Sequence, residues 1–246
     1  MRLYDEIIHD ILTSLEKQDK HILPVGAAAD PVSRDWQDAG KAMMILQSDM
    51  AYELGGHNLP AVGNTLVTTE KDFVPEDEII LIGKDLPEIT EDTPYARIAL
   101  VRVAKDSIGT GDRLYNTIRN IGYFRYHIYP KGFMLRVSSS NDRESVRVEA
   151  EALNEGLNFT AIGNAMLRAL HLHKEVEAVR IIFVTDPKVD YGRLQDGLKK
   201  TKQITATIDH MLKDVNMDCG SCGLQEICDE IEGLREMHFG MSEEHT

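Results

Sequence analysis

Apolar residues recur at Leu3, Ile7, Ile8, Ile11, Leu12 and Leu15, the three-and-four spacing of a helix buried along one face, which predicts an amphipathic helix over residues 2–17. A loop from Pro24 to Pro31 leads to a second helical stretch over 34–47, which carries Trp36. The pattern then shortens to that of strands. Residues 49–56 read as a strand closed by Gly55-Gly56, and further strands are expected at 64–69 and 78–82. The run 96–103 is apolar enough to be buried on at least one face, and Gly111-Asp112 opens a helix through Leu114, Ile118 and Ile121. Two β-like segments, 133–139 and 144–148, flank Ser140-Asn141-Asp142-Arg143 and so predict a hairpin. Ile162, Met166, Leu167 and Leu170 place a helix over 160–173, residues 179–185 form the clearest strand, and 189–212 read as a long helix.

These elements predict an α+β (mixed α/β) fold in which short strands make a mixed or antiparallel sheet with helices packed on it. Residues 1–213 are expected to form one domain, with N-terminal helices in 1–48 and the sheet core in 49–213. Residues 214–246 follow as an acidic, cysteine-bearing helical tail.

Charge sharpens this division. The chain of 246 residues carries a net charge of −14, from 27 Lys and Arg against 41 Asp and Glu. Nine acids and one base fall within 214–246, so −8 sits there and −6 on the first 213 residues. An acidic balance argues against a nucleic-acid surface. No apolar run is long enough to span a bilayer, and the polar start at Met1-Arg2-Leu3-Tyr4-Asp5-Glu6 is unlike a signal peptide, so a cytoplasmic protein is expected.

The candidate chemistry is concentrated in Cys219, Cys222 and Cys228, the three cysteines of the chain. A Cys-x-x-Cys turn brings two sulfurs to one side, and a third six residues later can close on the same centre. Three thiolates leave one position of a tetrahedral site to another ligand. An iron–sulfur cluster, of the four-iron type, or zinc fits this set. A reduced thiol cluster or a redox pair with an odd cysteine is the bland alternative. His238, ten residues beyond Cys228, is either a fourth ligand or a surface histidine, whereas His171 and His173 point to different faces of a helix and are poor co-ligands. Eleven of the fourteen arginines lie between positions 97 and 193, and guanidinium forks suit phosphates. Gly109-Thr110-Gly111 precedes a helix but lacks the lysine of a P-loop.

Several segments, in order, carry a family resemblance: Tyr52 to Gly56, Arg113 to Gly132, Gly156 to Gly163, the strand ending Thr185-Asp186, and the Cys-x-x-Cys after a long helix. Over residues 45–228 the chain resembles the catalytic, beta-type subunit of the CO dehydrogenase/acetyl-CoA synthase complex. That resemblance implies an acyltransferase-type role in anaerobic one-carbon (CO/acetyl-CoA) metabolism, with nickel beside the iron–sulfur cluster. Partners implied are CO dehydrogenase, a corrinoid iron–sulfur protein or ferredoxin. It also implies CoA binding by the arginine-rich middle segment, for which Arg113, Arg119 and Arg125 are the candidates. Cys219 and Cys222 match the family's first cluster cysteines and Cys228 its third, across a shorter gap. The fourth cubane cysteine and the later Cys-Gly-Cys element have no counterpart in the sequence, so an incomplete A-cluster is expected. The alternative is a non-catalytic accessory or electron-transfer module that carries a cluster or zinc and docks to a larger complex.

Overall fold

In the computed structural model, residues 3–26, 44–105, 112–124, 131–138 and 143–213 are described. A five-stranded sheet has the spatial order β1 (His21–Leu23), β4 (Glu78–Ile82), β8 (Val176–Val184), β5 (Tyr95–Val103) and β3 (Ala61–Thr68). It is mixed: β4 runs parallel to β8 and β3 to β5, while β8 and β5 pair antiparallel at its centre. The central strands are dense in Val, Ile, Leu and Ala because both of their faces are covered. A second, three-stranded antiparallel sheet has the order β2 (Met50–Leu54), β7 (Arg143–Glu149), β6 (Phe133–Ser138). Along β7, buried residues alternate with half-buried ones, the signature of a sheet with one face inward.

The helices place these sheets in layers. On one face of the large sheet lie α1 (Asp5–Ser14) and α5 (Tyr191–Lys213). The Thr68 hydroxyl of β3 donates to Asp5, the Asn64 amide donates to Thr201 of α5, and Gly197 lets α5 close on Ile7 and Ile11 of α1. The opposite face is covered by the small sheet, the short α3 (Ala150–Asn154) and α4 (Phe159–Leu170). Phe159 opens α4 and stacks on Phe183 with ring centroids 4.5 Å apart and on Tyr95 at 6.4 Å, tying that helix to the sheet centre. The entry to α4 is fixed by Asn158, which accepts from Ala161 N, and by Asp85, which accepts from Phe159 N and Leu86 N. Burial pushes the Asp85 carboxyl up, partly countered by those two backbone donors. The remaining helix, α2 (Asp112–Tyr123), runs beside the β3 edge and contacts both β3 and α5.

The α+β class and the mixed sheet agree with the pattern in the sequence. Residues 78–82, the 133–148 hairpin and the long helix after Asp186 stand where periodicity places them. Differences are local. The first helix is shorter than 2–17, β3 begins at Ala61 rather than Asn64, and residues 44–47 are coil and turn instead of the end of a helix. The rest of that expected helix, including Trp36, lies outside the described residues. Among the described residues no helix is long and apolar enough to cross a membrane.

Candidate functional site

Three elements border an open cavity of about 480 Å³: one side of α2, the facing side of α5, and the stretch Gly63-Asn64-Thr65 of β3 that forms its floor. From α2 it receives Tyr115, Ile118, Arg119, Gly122 and Tyr123, and from α5 Leu198, Thr201, Lys202, Thr205, Ala206 and Asp209. The lining thus combines an apolar strip with hydroxyls and two cations, and one acid stands near them. A partly apolar concavity with a few placed polar groups is the usual form of a small-molecule site.

The polar groups of the wall are organised before any ligand arrives. Thr201 and Thr205 sit one turn apart, and each hydroxyl donates to the carbonyl four residues back, Gly197 and Thr201 respectively. Their lone pairs then face Asn64, which donates to Thr201 at 3.1 Å, and the buried Tyr4 hydroxyl 3.1 Å from Thr205. Burial pushes the Tyr4 hydroxyl up to about 12, so it stays a donor at neutral pH.

Arg119 is held in an aromatic frame. Its guanidinium lies 5.1 Å from the Tyr123 ring centroid and 5.9 Å from that of Tyr115, one turn away on either side. Its Nε donates to the Tyr123 hydroxyl at 2.8 Å, and this bond, more than the neighbouring charges, holds the guanidinium above its usual range. The i, i+4 spacing fixes one edge of the fork and leaves an exposed cation at the cavity wall. Such a group is suited to a phosphate or carboxylate.

Behind the floor lies a buried ion pair. Arg97 and Glu144 are 0% and 1% exposed, and the pair is bidentate, Nε to Oε1 at 2.5 Å and Nη2 to Oε2 at 2.8 Å. Burial opposes the charge on Arg97, but the Glu144 carboxylate outweighs it and the guanidinium stays charged. The Nη1 of Arg97 donates to Asn64 O and Thr65 Oγ1, both at 3.3 Å, and Phe124 caps the guanidinium with its ring centroid 5.1 Å away. Gly63 is required because a Cβ there would collide with the Glu144 carboxylate. Beside the pair, the Tyr95 hydroxyl is buried without a partner among the described residues.

Of the residues singled out in the sequence, Arg119 lines the cavity. Arg113 is exposed near the start of α2 and is not part of the lining, although its carbonyl accepts from the Thr117 hydroxyl. Arg125, Cys219, Cys222, Cys228, His238 and Gly109-Thr110-Gly111 lie outside the described residues. The Nε2 of His171 donates to the Asp77 carboxylate, whose two oxygens lie 2.8 and 3.0 Å away. Among the described residues no group of three His, Cys, Asp or Glu side chains is placed to hold a metal. The sequence reading did not single out Thr201, Thr205, Lys202 or the tyrosines beside Arg119. Tyr115 and Tyr123 stand four residues either side of Arg119, which was a readable signal.

Residues 37–189, more than half of the chain, match the family model of the CO dehydrogenase/acetyl-CoA synthase complex beta subunit. Among curated proteins none matches the chain.

Proposed function

The chain belongs to the family of the CO dehydrogenase/acetyl-CoA synthase complex beta subunit, and from that premise we propose that it binds CoA at the cavity between α2, α5 and β3. The observation that carries this is Arg119: a cation set between two tyrosines, on a cavity wall, within the segment matched to the family. Arg119 would meet a phosphate of CoA, with Lys202 as a second cation in the lining. Thr65 and Asn64 offer polar contacts at the floor, and Ile118 and Leu198 an apolar wall.

Cys219, Cys222 and Cys228 would hold an iron–sulfur cluster or zinc, since three thiolates at this spacing form a soft-metal donor set. A metal centre of the family's kind would supply the site at which an acyl group joins the CoA sulfur, with nickel beside the cluster. Cys219, Cys222 and Cys228 would occupy three ligand positions of a cubane, and the position they leave is one that a partner protein can fill. CO dehydrogenase, a corrinoid iron–sulfur protein and ferredoxin are the candidates for that role. An accessory or electron-transfer module is the second reading, since a cluster or zinc held by these three thiolates could serve electron transfer or docking alone.

Two experiments test these assignments. Calorimetric titration of CoA should give binding that weakens with added salt and falls several-fold in Arg119→Ala, while Arg113→Ala has the smaller effect. Equal affinity of wild type and Arg119→Ala would remove Arg119 from the site. Anaerobically prepared protein should contain iron and sulfide, or zinc, at about one site per chain as expected for clustered thiolates. Metal content that is equally low in wild type and in the Cys219→Ser, Cys222→Ser double variant would refute the metal assignment.

A further inference from the structure

The Arg97–Glu144 pair joins parts of the fold that are otherwise separate. Glu144 comes from β7 of the small sheet, Arg97 from β5 of the large one, and the guanidinium reaches two floor residues of the cavity on β3. Its face carries Phe124, the residue that follows α2, so the helix bearing Arg119 is seated on the same group. Asn64 extends the linkage to α5 through Thr201. Two walls of the cavity, the β3 floor and the end of α2, therefore meet at one ion pair that does not line it, and the third, α5, is reached from it through Asn64.

Stability alone gives little reason for such a pair. Two charges removed from water lose hydration that their attraction only partly restores, and well-packed apolar replacements of similar volume are often as stable or more so. What the apolar replacements lack is direction. A guanidinium has a fixed plane and fixed donor vectors, so it can set the distance between β3 and β7 and the height of a ring stacked above it.

We infer that Arg97 and Glu144 are positioning residues for the cavity: the pair sets where α2, and with it Arg119, stands relative to the β3 floor. This rests on the proposed CoA site for its functional consequence, but its structural content does not. Arg97 touches no ligand. It acts through Asn64, Thr65 and Phe124.

The test uses the full chain and the double variant Arg97→Met, Glu144→Leu, which removes both charges at similar volume. Its thermal midpoint should stay close to that of wild type. Amide exchange across α2 should quicken by about tenfold, with exchange in β4 and β8 unchanged, as expected for local loosening. CoA affinity should fall by about tenfold, the worth of one charge-assisted hydrogen bond. Unchanged α2 exchange at retained stability would overturn the inference, because a merely structural pair would be fully replaced. If α2 loosens and wild type shows no CoA binding, the positioning role stands and the CoA reading falls. Should the double variant fail to fold, Phe124→Leu decides: it keeps the ion pair, and α2 exchange no faster than in wild type would overturn the inference.

Discussion

Replacing Glu144 by alanine should cost about 3–5 kcal/mol of folding free energy, a large share of the total for a domain of this size. The loss follows from what remains, since Arg97 would be a charged group at 0% exposure with two weak contacts of 3.3 Å in place of a bidentate carboxylate. Arg97→Ala should cost a similar amount by leaving the Glu144 carboxylate buried opposite a void. Urea unfolding of each single variant checks this, with the midpoint shifting and the slope preserved. A cost below about 1 kcal/mol, the value for a solvated surface pair, would mean that water reaches the site. The contrast with the double apolar variant distinguishes the two roles: breaking the pair is destabilising, whereas replacing it is not.

Raising the pH should unfold the protein over a narrow range above pH 10. Among the described residues Tyr4, Tyr52, Tyr95 and Tyr191 are buried, and burial is the leading cause that pushes each hydroxyl up. For Tyr4 the value reaches about 12, against 10.0 for an ordinary tyrosine. The sign follows from the favoured form. Folded protein holds these protons while the unfolded chain releases them from pH 10 upward, so the contribution is intact below the unfolded value and is lost as pH rises through it toward the folded one. Each tyrosine removes about 1.4 kcal/mol per pH unit in that window, so the four together remove roughly 5 kcal/mol by about pH 11. Circular dichroism and tyrosinate absorbance should change together. Ionisation of all eight tyrosines near pH 10 with the fold intact would contradict the burial of these four.

Much of this fold is legible along the chain because its information is local. The runs Glu78–Ile82 and Val176–Val184 are so rich in Ile and Val that little else can be made of them, and Leu114, Ile118 and Ile121 recur at helical spacing. Strand β1 has no such signal. It is three residues long with Ile22 71% exposed, and exists through its pairing with Ile79–Leu81, nearly sixty residues away. The start of β3 is obscured by Gly63, which reads as a strand breaker until Glu144 is seen to occupy the space of its side chain. Arg119 could be selected from sequence, whereas Arg97 is one of eleven arginines in its region. Its mark is a charge near the start of a strand that is apolar from Ile98 to Val101, and its partner 47 residues away is set by tertiary structure alone.

The central claim is that CoA sits between α2 and α5, and covalent mapping with a photoreactive CoA analogue on the full chain tests it most directly. The site predicts labelled peptides from the cavity segments 115–123 and 198–209, with labelling suppressed by excess unmodified CoA and reduced in Arg119→Ala. CoA-suppressible label confined to other segments, or label that excess CoA does not suppress anywhere, would contradict it.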